Sequence, residues 1–164
     1  MATADGPTVL TTADAGLPFF VYGTLRPGER NHDVFLRGRT ASEEPGRLAG
    51  AALYEGPGYP YAVQDTVESG GRDTVEDTRR GAVVCGELVT ALPEAYGELL
   101  AELDRLEEYT PGDPRSLYER VTREVTRADG TAVRAWVYVA APAVAARLRA
   151  RGKLIESGDW HTRR

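Results

Sequence analysis

Along residues 92–109, LPEAYGELLAELDRLEEY, apolar positions recur at helical spacing. Advancing about 100° per residue, Leu92, Tyr96, Leu99, Leu100, Leu103 and Leu106 form one stripe, and Glu94, Glu98, Glu102, Arg105 and Glu108 fall on the other side. The spacing predicts an amphipathic helix with Pro93 in its first turn. It should end near Tyr109, because Thr110-Pro-Gly-Asp-Pro114 cannot continue it. Glu107 breaks the pattern. It follows Leu103 by four positions and Leu100 by seven, so its carboxylate projects near the middle of the apolar stripe. A carboxylate aimed at a core is costly unless it is partnered or kept for chemistry.

The rest of the chain reads mostly as strands. Residues 17–25, LPFFVYGTL, are an apolar run of strand type that stops at Arg26-Pro27-Gly28, a turn signal. Val34-Phe35-Leu36 is too short to classify. Residues 47–54 read as a second strand, with Gly50 a bulge or close-approach point. Two Gly and two Pro make 55–61 an irregular loop, and the polar stretch 64–80 reads as a surface excursion. Residues 81–89 are a compact buried strand. Residues 118–127 alternate, Ala128-Asp-Gly130 signals a hairpin turn, and 131–140 return as its partner strand. A short helix opens at Pro142 and closes at Gly152. Residues 1–16 are small and polar and read as a flexible tail, leaving 17–164 as a single domain. Strands outnumber helices without βαβ alternation, which predicts an α+β fold on a mixed or antiparallel, barrel-like sheet.

Composition narrows the classes. A chain of 164 residues has the length of one domain. With 20 basic against 25 acidic residues the net charge is −5, and nothing points to nucleic acid or an anionic membrane. The small cluster Arg147, Arg149, Arg151 and Lys153 reads as the solvated side of the last helix. Cys85, the single cysteine, excludes an internal disulfide and a cysteine metal cage, and reads as a buried structural thiol. No signal-peptide pattern or bilayer-length apolar run is present, so a soluble cytoplasmic protein is expected.

Several chemistries can be weighed on these residues. Glu107 is either a helix-end glutamate paired with an arginine or reaching solvent, or a carboxyl whose pKa is raised by burial and the helix C-terminus, as a general base and acid requires. Tyr22-Gly23-Thr24-Leu25-Arg26-Pro27-Gly28 is either a plain strand-to-loop turn or a set of backbone N–H groups able to cradle a carboxylate. It is neither a Walker loop nor a dinucleotide fingerprint. His32 and His161 have no metal-ligand spacing, and no GxSxG elbow exists for a serine triad. Asp104, three positions before Glu107, is either a solvated or hydrogen-bonding residue or half of a carboxylate pair.

Taken together, the segments resemble the gamma-glutamylcyclotransferase-like family. Phe20-Val-Tyr22-Gly23-Thr24-Leu25-Arg26-Pro27-Gly28 looks like its N-terminal strand and YG-[ST]-L turn. Residues 54–60 are similar to its Gly/Tyr/Pro loop, and Gly86-Glu-Leu88 to its G-E-L strand. Leu103-Asp104-Arg-Leu-Glu107 matches the L-D-x-x-E segment that bears the catalytic glutamate, and Tyr118-Glu-Arg120 with Val137-Tyr138-Val139 matches the closing hairpin. Glu108 stands where the family often carries glycine.

The resemblance implies a small mixed β-barrel with flanking helices, the long one beside the barrel's mouth. It implies a small γ-glutamyl substrate whose α-amine attacks its own γ-carbonyl, releasing 5-oxoproline and an amine without metal or cofactor. Glu107 would carry the proton. The N–H groups of Gly23, Thr24 and Leu25 would hold the substrate carboxylate or the oxyanion. Tyr22, Tyr118 and Tyr138 would supply hydroxyls and walls or simply pack the barrel, and Arg26 would steer the carboxylate or be an ordinary turn arginine. Two alternatives stand beside this: a non-catalytic small-molecule-binding domain of the same fold, and an interaction module in which Glu107 pairs with an arginine such as Arg120. The leaving amine and the oligomeric state are not legible.

Overall fold

The computed structural model describes residues 16–64 and 82–162. The expected tail, except Gly16, and the expected excursion, except Gln64, lie outside the described residues. The elements in order are β1 (Phe19–Val21), a short π-helical turn (His32–Leu36), β2 (Thr40–Ala49), β3 (Ala51–Glu55), β4 (Pro60–Gln64), β5 (Val83–Ala91), α1 (Tyr96–Leu106), β6 (Tyr118–Arg127), β7 (Ala132–Ala140), α2 (Pro142–Arg151) and β8 (Leu154–Ile155).

Strands β1, β5, β2, β6 and β7 close a barrel, and β4, β3 and β8 form a three-stranded sheet beside it. The barrel is mixed because β1 runs antiparallel to β5 but parallel to β7, where Phe19 meets Trp136. The hairpin β6–β7 pairs from Tyr118 with Ala140 to Thr126 with Ala132, as its alternation and turn residues require. The expected mixed barrel with flanking helices is therefore what the chain builds.

Strand β1 is apolar at every position because it is buried on both faces. Phe20 joins Leu48, Val84, Leu88, Val125 and Val137, drawn from all the other barrel strands, as the barrel interior. Phe19 and Val21 face the opposite way, toward Leu99, Leu100 and Leu103 of α1. Strand β7 is divided likewise, with Val137 and Val139 inward and Trp136 and Tyr138 toward the helix layer.

Within the fold, the sequence reading differs from the structure most clearly at the following places. The second strand is two strands, β2 and β3, and Gly50 between them has a φ of 81°, a left-handed conformation that lets the chain leave the barrel for the second sheet. Residues Pro60–Gln64, read as the end of a loop and the start of an excursion, form β4 against β3. Cys85 is half-buried rather than buried.

Candidate functional site

The apolar stripe of α1 packs as its period predicts: Leu99, Leu100 and Leu103 are buried, with Tyr96 and Leu106 against them. A 3-10 turn, Pro93–Ala95, precedes the helix, and Glu107 caps its C-terminus. The ending is a Schellman arrangement: the N–H of Glu108 donates to the Arg105 carbonyl at 3.1 Å and that of Tyr109 to the Asp104 carbonyl at 2.9 Å. The residue that reverses the chain must then be left-handed, and Glu108 has a φ of 55°. Glycine takes that conformation freely, whereas a glutamate bears a cost there. The reversal leaves Glu107 directed at the barrel end.

Glu107 lines a cleft together with Tyr22, Gly23, Thr24, Leu25, Tyr59, Pro60, Tyr118 and Tyr138. Thr24, Tyr59, Glu107 and Tyr118 also line a roomier adjoining lobe that opens past Arg30, Asn31 and Glu108. Among the described residues Glu107 has no ion pair or hydrogen bond to its carboxylate. Burial lifts that carboxyl from its ordinary value to about 7, and the charge of Asp104 adds to the rise.

Opposite Glu107, the chain leaves β1 in a tight turn. The Arg26 N–H donates to the Gly23 carbonyl at 3.1 Å and the Asn31 N–H to the Thr24 carbonyl at 3.0 Å, while Asn31 Nδ2 reaches Thr24 Oγ1 at 2.9 Å. These bonds leave the N–H groups of Thr24 and Leu25 without a partner among the described residues. Gly23 must be small: a Cβ there would lie 2.7 Å from Cδ of Pro60. The turn and the Gly/Tyr/Pro loop thus close one wall of the cleft together.

The tyrosines hold that wall. The Tyr22 hydroxyl donates to the Tyr138 carbonyl and accepts the Ala62 N–H at 3.2 Å. The Tyr118 hydroxyl donates to the Pro60 carbonyl at 2.7 Å, and its ring stacks on Tyr61 at 4.8 Å. The Tyr138 hydroxyl donates to Asp104 at 2.5 Å. All three rings line the cleft, but their hydroxyls are committed to protein partners. Burial raises all three above the usual phenol range, so they stay neutral.

Arg26 is the expected site residue that the fold takes elsewhere. Its Nε meets Glu87 at 2.7 Å and its Nη1 meets Asp159 at 2.6 Å, facing a separate cleft with Arg47 and Cys85. The strand-type run predicted to reach Leu25 ends at Val21, and the turn that follows points the guanidinium to the other side of the wall. Arg120 pairs with Asp104 at 3.1 Å, not with Glu107, which removes the ion pair of the interaction-module alternative. Tyr59 and Pro60 were not among the expected site residues. Their signal was the density of Gly, Tyr and Pro in 56–61, a loop too restricted to be a passive connection. Among the described residues, no group of His, Cys, Asp and Glu is arranged to hold a metal, and no helix is long and apolar enough to cross a membrane.

The family profile described as gamma-glutamyl cyclotransferase, AIG2-like, matches residues 19–162. Gamma-L-glutamyl-butirosin B gamma-glutamyl cyclotransferase of Niallia circulans is 34% identical over 121 residues, 73% of this chain and 64% of that protein. The chain therefore spans slightly less than two thirds of that relative's length. A solved Arabidopsis thaliana structure superposes with a TM-score of 0.53 at 28% identity, covering 88% of this chain and 68% of that one. An AIG2-like protein of Mus musculus does so with a TM-score of 0.55 at 24% identity, covering 77% and 80%, and speaks for the fold alone. The profile runs from the first barrel strand to beyond the last helix, taking in the YGTL turn and Glu107, and the chain belongs to the AIG2-like gamma-glutamyl cyclotransferase family.

Proposed function

We propose that the chain is a γ-glutamyl cyclotransferase that converts a γ-glutamyl amine or peptide into 5-oxoproline and a free amine, with Glu107 as the proton carrier. The observation that carries this reading is the Glu107 carboxyl, without a partner among the described residues and lifted to about 7 in a cleft whose opposite wall is the YGTL turn. A carboxyl poised near neutrality can both accept and return a proton.

The steps follow from the substrate's own chemistry. The γ-glutamyl α-ammonium gives a proton to the Glu107 carboxylate, and the freed nitrogen attacks the γ-carbonyl carbon. The carbonyl oxygen gains negative charge, and N–H groups of the Gly23–Leu25 turn are the donors nearest the wall it would face. The C–N bond to the leaving amine breaks as Glu107 returns the proton to that nitrogen. The ring nitrogen, which still carries one proton too many, gives it to the restored carboxylate, which passes it to the departing amine, so the products are the neutral lactam and an ammonium. Ring closure is intramolecular, so holding the folded conformer supplies much of the rate. The glutamyl head occupies the inner cleft and the amine points into the outer lobe beside Glu108 and Arg30. The Niallia circulans relative is named for a γ-glutamyl group on butirosin B, which supports a γ-glutamyl amide as the substrate class.

The test is 5-oxoproline release from a panel of γ-glutamyl amines and peptides by the wild type and by Glu107→Gln. Loss of the base should lower kcat by roughly 10²- to 10⁴-fold with little change in KM. Undiminished turnover by the variant would end the assignment of Glu107. Binding of the panel by both proteins without product would favour the binding-domain alternative.

A further inference from the structure

Asp104 and Glu107 are one helical turn apart on α1, spaced i and i+3, so their side chains are neighbours. Only Glu107 lines the cleft. Asp104 lies behind the wall, where its Oδ1 accepts the Tyr138 hydroxyl at 2.5 Å and meets Nε of Arg120 at 3.1 Å. The Arg120 side chain is 4% exposed. Its guanidinium lies 4.5 Å from the Trp136 ring centroid and 5.6 Å from that of Tyr109. Its Nε and Nη1 are buried with no well-aligned hydrogen bond among the described residues, so Asp104 is its close counter-charge.

A buried arginine clamped between two rings is an expensive way to hold a structural aspartate. It favours the charged form of Asp104 against the burial that opposes it. Burial lifts the Asp104 carboxyl above its ordinary range, but the Tyr138 hydrogen bond and the Arg120 charge hold that rise back. Among the described residues that line the cleft, the others carry no comparable fixed charge. Tyr22 just after β1, Tyr61 on β4, Tyr118 on β6 and Tyr138 on β7 are all raised by burial and neutral near pH 7. Arg30 and Glu108, of opposite sign, line the outer lobe, and both are exposed to solvent.

We propose that Asp104 is a positioning residue for the same site: locked by Arg120, it fixes the Tyr138 ring as a wall and sets a negative charge one helical turn from Glu107. The proposal rests on the assignment of Glu107 as proton carrier for its catalytic meaning, but not for its physical test. A negative neighbour keeps the proton on Glu107 to higher pH, and removing it lets the carboxyl ionise earlier.

The experiment is a ¹³C NMR titration of the Glu107 side-chain carboxyl in wild type, Asp104→Asn and Tyr138→Phe. The Asp104→Asn midpoint should move to lower pH, and the acid limb of kcat/KM should move with it. Tyr138→Phe removes one of the bonds that keep Asp104 ionised, so it should move Glu107 in the same direction by less. It also keeps a readout if Asp104→Asn fails to fold. A merely structural role would lower stability in both variants and leave the Glu107 midpoint in place, and that result in either folded variant overturns the proposal. Absence of turnover in the wild type would count against the cyclotransferase reading and leave the titration interpretable.

Discussion

Arg26 and Glu107 lie on opposite sides of the wall made by the YGTL turn, and the fold treats their charges in opposite ways. Arg26 is 8% exposed at its side chain and is met by two carboxylates, Glu87 from β5 and Asp159 from the C-terminal segment. Glu107 is half-buried, has no counter-charge among the described residues, and has a like charge one helical turn away. Compensated burial of charge ties distant parts of the chain together, whereas uncompensated burial keeps a carboxyl near its titration point. The first arrangement is architecture, and the second is what acid–base chemistry needs.

The largest effect that would break this contrast is on the compensated side. Arg26→Met leaves Glu87 and Asp159 facing each other without a cation, and should cost about 4 kcal/mol in urea unfolding, as removal of one partner from a buried pair does. The turnover of the folded fraction should survive, because Arg26 faces away from the cleft; a selective loss of kcat would place it in the site after all.

The uncompensated side should respond with the opposite sign. Glu107 protonates at about 7 in the folded chain against an ordinary 4.5. Between those values the folded state holds a proton that the unfolded state has released, so stability falls as pH rises through this window, and the whole cost is present above it. Glu107→Gln should therefore be more stable than wild type at pH 8, by about 2 kcal/mol once residual solvent access is allowed for. The gain should fade below pH 4.5. A variant that is equally destabilised at both pH values would mean that Glu107 is structural. The smallest effect concerns the reversal after Glu107. Glu108→Gly relieves a left-handed glutamate and should add about 1 kcal/mol, read as a rise in Tm.

The parts of the fold legible in the sequence are those set by local periodicity. The stripe of α1, the β6–β7 hairpin and the Pro142–Arg151 helix all follow from neighbours within a few residues. Strand β2 begins at Thr40 through a polar stretch with Pro45, and only distant pairing, chiefly with β5 some forty residues on, makes it a strand. Strand β4 was hidden for a related reason, since its ladder lies on β3 while its sequence opens on Pro60. Within the site, Glu107 was legible because a carboxylate in an apolar stripe is a local contradiction. Arg26 was misplaced because its partners are 61 and 133 residues away. The Asp104–Tyr138 bond, across 34 residues, left no local mark either.

The central claim is that Glu107 is a buried carboxyl without compensation. It is tested most directly by the ¹³C titration of the wild-type Glu107 carboxyl, its resonance identified by its absence in Glu107→Gln. The account predicts a midpoint near pH 7. A midpoint near 4.5, the ordinary glutamate value, would contradict it, because the carboxylate would then be solvated or paired and unsuited to carry the proton.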